Sequence, residues 1–316
     1  MSPNNDGAEN VDLVPLLGVA RVTVVAGKGG VGKTTVTAVL ATAAAAAGRR
    51  VLAVELDGKP VLATLLGDID HLGLSAKLAL EEYLRDHGFG RVAKRLAASG
   101  VIDVVSTAAP GIDDIVVLGK IKQLERSGDY DVIVVDGPAA GHAVTMLTSA
   151  SGLRDAVTSG PVRAQADEVL EMLQDPTRLQ VALVTSPETT PVNETVETAF
   201  RLEDLVGVRL APVIVNGVDV GPAGDGASVP SLLTGRLTGR LEHLDVDGSD
   251  RDDLAAAAAF RDERRAVQRD AIAQLAAALP LEQIHVPLSG TALDLAAVAR
   301  LAERATAPSA GRVGVA

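Results

Sequence analysis

The sequence predicts an α/β fold with a doubly wound, mostly parallel sheet flanked by helices. Three observations indicate it: apolar runs of strand length recur along the chain, helical patterns separate most of them, and the runs are apolar throughout rather than alternating. Alternating strands and helices are typical of parallel sheets, and a strand that helices cover on both faces has no polar side. The five predicted strands are 21–25, 51–54, 131–135, 181–185 and 212–215.

The first predicted strand runs directly into a phosphate-binding loop. Residues 27–35 read GKGGVGKTT and fill every position of the pattern G-x-x-x-x-G-K-[ST]. Glycines in this pattern let backbone N–H groups point at phosphate oxygens, the lysine neutralises their charge, and the hydroxyl binds Mg²⁺. An alanine-rich helix over 34–47, stopped by Gly48, follows the loop.

A strand before this loop and a helix after it are the context that the pattern requires, so we predict a P-loop NTPase fold with ATP as its ligand. The predicted nucleotide-binding residues of the loop are Gly27, Lys28, Gly29, Gly30, Val31, Gly32, Lys33, Thr34 and Thr35.

Polar residues at the ends of later strands supply further candidates. Asp136 follows the strand at 131–135, and the carboxyl ends of parallel strands share one edge of the sheet, so it faces the loop. A carboxylate there would hold Mg²⁺ directly or through water, which makes Thr34 and Asp136 the predicted metal ligands. Asn216 ends the fifth strand, where its amide matches the donor and acceptor positions of adenine. A turn residue is the alternative interpretation of Asn216.

We predict a single P-loop ATPase domain over residues 1–316, because 47% of the side chains are apolar and a chain of this length can form one large hydrophobic core. Within it, leucine spacing predicts a small helical excursion at 62–110. Glycine, proline and aspartate mark 219–250 as a variable connection. A long alanine-rich helix is predicted over 251–278, and 307–316 resembles a flexible tail.

The composition excludes several functions. The chain has no cysteine, which excludes disulfides, thiolate zinc sites, iron–sulfur clusters and cysteine nucleophiles, and no zinc is expected. The 29 basic and 41 acidic residues give a net charge of −12, so no binding to nucleic acid is expected. The first residues lack the basic and apolar segments of a secretory signal, and no apolar run reaches membrane-spanning length, so we expect a cytoplasmic protein.

Several segments resemble one known family. The second lysine of the loop, Lys28, resembles the deviant Walker A motif. Three further segments match the same family: DGPAAGH at 136–142, LVTSPETTPVNET at 183–195 and IHVPLSG at 284–290. Together they are similar to the arsenite-pump and guided-entry tail-anchor-targeting ATPases, a family of SIMIBI-class P-loop NTPases. The chain looks most like actinobacterial subunits that occur beside a related partner ATPase. Glu188 and Glu194 are interpreted as capping and helix-surface charges.

The resemblance implies a Mg²⁺-dependent, ATP-hydrolysing dimer, formed by two copies or with a paralogous ATPase. Lys28 would then be a catalytic residue that reaches across the dimer to the partner's nucleotide. Asp57 aligns with the family aspartate that orients or activates the attacking water, and Glu55, on the same side of the strand, is the alternative. Pro287 falls in the loop that closes over the base. His142 is interpreted either as a sensor of the nucleotide or as a structural hydrogen-bonding residue.

Departures from the family limit the biological role. Arsenite regulation needs thiolate ligands and the zinc-bridged dimer of the targeting factors needs a CxxC pair, and this chain has no cysteine. Client grooves for transmembrane helices are methionine-rich, whereas this chain has three methionines. The client or membrane-protein partner is therefore unknown.

Three classes of function remain. The first is a dimeric switch in which ATP binding and hydrolysis change the shape presented to a partner. The alternative is a partition or positioning ATPase that acts on membrane or nucleoid, although the sequence shows neither a terminal amphipathic helix nor a basic surface cluster. A ligase or kinase on the same fold also remains open, because a phosphate loop does not identify the acceptor.

Overall fold

A computed structural model describes residues 13–56, 61–86, 111–220 and 248–306. Most of the predicted connection at 219–250, the tail at 307–316 and the second half of the excursion at 62–110 lie outside the described residues.

The predicted α/β fold with a parallel sheet is confirmed. The strands lie in the order β3-β2-β4-β1-β5-β7-β8, with short β6 paired to β5, and every described pairing is parallel. The central strand β1 therefore opens its carboxyl end between two neighbours, where ligands bind in folds of this type. The strands are β1 Val22–Gly27, β2 Val51–Glu55, β3 Asp70–Gly73, β4 Val132–Ala139, β5 Leu179–Thr185, β6 Arg209–Leu210, β7 Val213–Val218 and β8 Gln283–Pro287.

Helices cover both faces of the sheet. They are α1 Leu13–Leu17, α2 Lys33–Ala46, α3 Ala63–Leu66, α4 Ala76–Asp86, α5 Ile112–Ser127, α6 Ala140–Ala156, α7 Pro161–Gln174, α8 Thr189–Val206, α9 Gly248–Ala278 and α10 Leu295–Thr306. Among these described helices, none combines the length and the apolar character needed to cross a membrane.

Successive side chains of the strands enter two separate cores. On β1, Val22 and Val24 contribute to one core and Val25 to the other. Helices α4 to α9 pack on the first face, and α1, α2, α3 and α10 pack on the second. Because side chains alternate across a strand, a strand that is buried on both faces must be apolar at every position, which explains the continuous runs in the sequence.

Three strands were not predicted: β6, which has only two residues, and β3 and β8, which lie at the outer edges of the sheet. β3 falls within the segment 62–110 that was predicted as helical, and it pairs with β2. Its sequence DHLG is mostly exposed, so it carries no apolar run. β8 pairs with β7 and alternates partly exposed and buried residues in QIHVP. An edge strand lacks one neighbour and tolerates polar side chains, so an apolar run does not mark it.

The strands also extend further than their apolar runs. β4 continues through Ala139, which places Asp136 and Gly137 inside the strand rather than after it. A Cβ on Gly137 would overlap the carbonyl oxygen of Val25 on β1. The pairing of β1 with β4 shifts its register between Val25 and Gly27. Glycine at 137 therefore allows β4 to pass beside the start of the phosphate loop.

The burial of α5 against the first core yields a stability prediction. Leu118 is fully buried and Leu78 on α4 is 55% exposed, although both are helical leucines. We expect Leu118→Ala to lower the free energy of unfolding by about 2–5 kcal/mol, because truncation removes apolar contacts and leaves a cavity. Leu78→Ala should change it by about 0.5 kcal/mol or less. Urea denaturation followed by circular dichroism measures both values, and equal losses would contradict this packing.

Candidate functional site

The loop between β1 and α2 forms a cradle of backbone N–H groups. Gly30 and Gly32 both have a φ of 88°, in the left-handed region that favours glycine. A Cβ on Gly29 or Gly30 would meet no atom within 4 Å, so the loop borders open space there. No side chain caps the N-terminus of α2. The unpaired N–H groups of a first helical turn, together with the helix dipole, attract an anion.

The Lys33 side chain folds back across this cradle. Its Nζ donates to the carbonyl oxygen of Lys28 at 3.3 Å. Its positive charge also opposes the rise in the pKa of Asp136 on β4. The ammonium group therefore lies inside the loop, on the side of the site that holds the carboxylate.

Thr34 and Asp136, the two predicted metal ligands, are hydrogen-bonded to each other. Thr34 Oγ1 donates to Asp136 Oδ2 at 2.7 Å, and Thr37 Oγ1 donates to Oδ1 at 3.4 Å. Asp136 is 8% exposed, and burial raises its pKa even though Thr34 and Lys33 act against the rise. Sequence reasoning missed Thr37, although it follows Thr34 by three residues and so shares its helix face.

This donor set fits Mg²⁺. The cation prefers oxygen ligands and is usually held by one or two protein groups together with water and substrate phosphates. Thr34 and Asp136 supply one hydroxyl and one carboxylate at the edge of the cradle. Within the described ranges no three His, Cys, Asp or Glu side chains gather into a metal-binding group. The arrangement therefore suits a cation that is shared with a phosphate rather than one caged by protein alone.

A second carboxylate lies beside Asp136. Glu55 is the last residue of β2, is buried, and stands directly opposite Asp136 in the parallel register. Its charge contributes to the raised pKa of Asp136. Asp57, the predicted water-positioning residue, lies outside the described residues, so its role stays a prediction. Glu55, the alternative named for that role, is thus next to the predicted metal ligands.

Asn216 lies against the phosphate loop. Its Nδ2 donates to the carbonyl oxygen of Val31 at 2.8 Å, and a Cβ on Gly32 would overlap that same nitrogen. Because Asn216 is inside β7 rather than after it, the interaction fastens the sheet to the loop. Pro287 is buried at the end of β8, opposite Val218, so this part of the segment predicted as a loop is a strand.

Lys28 projects from the loop toward α8. Its Nζ lies 2.5 Å from Glu194 Oε1 of the same chain, and the two side chains are 34% and 44% exposed. Glu194 is thus a charge on the surface of α8, as the sequence predicts, but it also binds the phosphate loop, which the sequence did not indicate. Glu188 occupies the N-cap position of α8 without making a side-chain cap hydrogen bond. Nothing in the segment's sequence distinguishes Glu194 from Glu197, since only the placement of α8 selects one of them.

His142 lies in the first turn of α6 and is exposed. Burial raises the pKa of the Asp114 carboxyl on α5, and the nearby His142 opposes part of that rise. Whether His142 senses a nucleotide stays a prediction.

Comparison with known proteins agrees with this geometry. Residues 20–160 match the family model described as "Anion-transporting ATPase". The matched range contains the phosphate loop, Thr34 and Asp136. The resemblance that the sequence predicts, to the arsenite-pump family of ATPases, is thereby confirmed.

Relatives cover the rest of the chain. ATPase BagA of Mycobacterium tuberculosis is 29% identical over 339 residues, which include 96% of this chain and 97% of the relative. The arsenical pump-driving ATPase of Escherichia coli is 31% identical over 182 residues, 56% of this chain and 31% of that protein. The arsenical pump-driving ATPase of Acidiphilium multivorum is 30% identical over 182 residues, with the same shares. These matches support ATPase activity.

The buried carboxylate yields a prediction about stability and pH. Burial raises the pKa of Asp136 above its ordinary value of 3.8, so the folded state holds this proton more tightly than the unfolded chain does. The stability that this proton provides is therefore present at low pH and is lost as the pH rises through the folded pKa. We expect Asp136→Asn to raise the free energy of unfolding at neutral pH by about 1 kcal/mol, because the neutral amide avoids the cost of burying an ionised carboxylate.

Denaturation without nucleotide or Mg²⁺, between pH 4 and pH 8, measures this effect. Asp131→Asn is the matched control, because the Arg50 side chain lowers the pKa of Asp131 to about 2. That carboxylate stabilises the fold above its ordinary pKa and loses this effect as the pH falls toward about 2. Asp131→Asn should therefore destabilise the protein at neutral pH. An Asp136→Asn protein that is less stable than the parent at neutral pH would contradict the prediction.

Proposed function

We propose that the protein is a Mg²⁺-dependent ATPase that works as a dimeric switch. It would pass a nucleotide-driven change of shape to a partner. The proposal starts from the match of residues 20–160 to the family model of anion-transporting ATPases. The observation that carries this proposal is the meeting of the phosphate cradle, Lys33 and the Thr34–Asp136 pair at the carboxyl end of β1. The dimer is either a pair of identical chains or a pair with a paralogous ATPase. The cytoplasm is the proposed location, since that compartment supplies ATP.

Binding of ATP uses the loop and the adjoining strands. Backbone N–H groups of the loop and of the first turn of α2 donate to phosphate oxygens, and Lys33 neutralises their charge. Asn216 Nδ2 already bonds the loop carbonyl of Val31, so its Oδ1 is the atom that would accept from the amino group of adenine. Pro287, at the end of the adjoining strand, is the predicted second contact to the base.

Thr34 and Asp136 would hold Mg²⁺, and their existing hydrogen bond orients them for it. Thr34 Oγ1 directs its proton at Asp136 Oδ2, which leaves its oxygen lone pairs for a cation. When bound, the cation neutralises charge on the β- and γ-phosphate oxygens. Thr37 holds the other carboxylate oxygen of Asp136 and so fixes the plane of the carboxyl group.

Hydrolysis needs a positioned water and a positive charge at the transferred phosphoryl group. Asp57 is the proposed residue that orients the water and accepts its proton, with Glu55 as the alternative because it is buried beside Asp136. Lys28 of one protomer would stabilise the charge that develops on the phosphate held by the other protomer. Loss of the γ-phosphate would then relax the segment at Gly137 and change the surface that a partner meets.

Nucleotide binding is tested at Lys33. We expect Lys33→Ala to weaken ATP binding by at least about tenfold, because the loop loses the ammonium that neutralises the phosphates. Isothermal titration calorimetry with Mg²⁺ measures the change. Lys77→Ala is the matched control, since Lys77 is an exposed residue on α4. Equal affinities for the Lys33→Ala protein and the parent would contradict the phosphate-loop assignment.

Water positioning is tested at the two acidic candidates. We expect Asp57→Asn to keep ATP affinity and to lose turnover by about 100-fold or more, the size of a general-base contribution. Phosphate release and calorimetry measure the two properties on the same protein. Glu55→Gln separates the alternatives, because it should leave turnover within a few-fold of the parent if Asp57 has the role. The reverse pattern would move the role to Glu55.

A further inference from the structure

The ion pair between Lys28 and Glu194 joins two distant parts of one chain. Lys28 lies in the phosphate loop after β1, and Glu194 lies in the second turn of α8, 166 residues later. The contact uses Nζ of the lysine and Oε1 of the glutamate. The contact therefore turns the lysine toward α8 of its own chain.

Glu194 is the rigid member of this pair. Its neighbours Val192 and Thr195 are 0% and 2% exposed, so the start of α8 is fixed against the core. Asn193 Oδ1 accepts from Gln274 Nε2 of α9 at 2.6 Å, which braces the same turn from outside. Lys28, by contrast, stands between Gly27 and Gly29 on a loop, at the end of a long flexible side chain. The position of Glu194 therefore determines where the ammonium lies.

The pair also keeps two like charges apart. Lys33 Nζ bonds the backbone oxygen of Lys28, so the ammonium of Lys33 already lies inside the loop. Glu194 turns the ammonium of Lys28 outward, toward α8, which limits repulsion between the two lysines within the loop. A half-exposed ion pair is weak, and its loss changes an equilibrium by no more than about fivefold. The contact is therefore suited to reversible release.

We propose that Glu194 is a positioning residue for Lys28: it holds the ammonium on its own protomer and releases it when a triphosphate on the facing protomer competes for it. The exchange is favourable because a triphosphate carries more negative charge than one carboxylate. This proposal rests on the proposed function, since it requires that Lys28 act across a dimer. Glu194 itself touches neither ATP nor the attacking water.

The contact is tested by zero-length cross-linking. A water-soluble carbodiimide joins an amine to a carboxylate only when the two groups touch, and the amide between Lys28 Nζ and Glu194 forms with loss of one water molecule. Mass spectrometry of digested protein should find this linked pair in the parent. Mg²⁺ with a non-hydrolysable ATP analogue should decrease its yield. Glu194→Gln should abolish it, and Glu197→Gln, an exposed position on the same helix, should retain it.

The consequence for the reaction is tested by steady-state kinetics. Glu194→Gln should lower the KM for ATP by up to about fivefold with an unchanged kcat, because the Glu194 carboxylate no longer competes with the phosphate for the Lys28 ammonium. Glu194→Asp keeps the charge and should return the KM toward the parent value. Glu197→Gln should match the parent. A parent without the cross-link, or equal KM values for Glu194→Gln and Glu197→Gln, would overturn the proposal.

One further variant separates this proposal from the proposed function. Lys28→Ala should impair hydrolysis without abolishing ATP affinity, because the charge on the transferred phosphoryl group loses the lysine while the loop and Lys33 still hold the nucleotide. Unimpaired hydrolysis by Lys28→Ala would refute the catalytic use of Lys28. In that case the cross-link to Glu194 would remain as a contact without a role in turnover. A missing cross-link with impaired Lys28→Ala would instead refute the role of Glu194 alone.

Discussion

The buried carboxylate of Asp136 is the interaction on which the rest of the site depends. It is 8% exposed, and its two oxygens receive hydrogen bonds from Thr34 and Thr37 of α2. One side chain therefore joins β4 to the helix that begins at the phosphate loop. Burial raises the pKa of this carboxyl, which means that the fold holds an ionisable group where it is unfavourable. Such a cost is typical of residues that are kept for chemistry rather than for stability.

Close approach of backbones places that carboxylate. Gly27 and Gly137 each leave no room for a Cβ, because the carbonyl oxygens of Val184 and Val25 occupy the space. The three central strands can therefore lie side by side at the point where the chain leaves the sheet. The apolar interior of each strand determines its place in the sheet, and the two glycines determine how close the loop lies to Asp136 and Glu55.

The fold and half of the site follow from local sequence. Five buried strands have continuous apolar runs, and the phosphate loop has a pattern whose spacing is specific, so both were predictable. β3 and β8 were missed because an edge strand tolerates polar residues. The pairing of Lys28 with Glu194 was not predictable, since it depends on how α8 packs rather than on any signal near residue 194. Thr37 could have been found, because helical spacing places it beside Thr34.

Because Asn216 contacts the phosphate loop, the residue types that positions 32 and 216 tolerate depend on each other. Any side chain at position 32 would collide with the Asn216 amide and would also be strained by a φ of 88°. Position 216 in turn must keep a donor for the carbonyl of Val31, or that oxygen loses its partner. A substitution at either position therefore disturbs a contact that the other position makes, so residues 32 and 216 constrain each other across 184 positions of sequence.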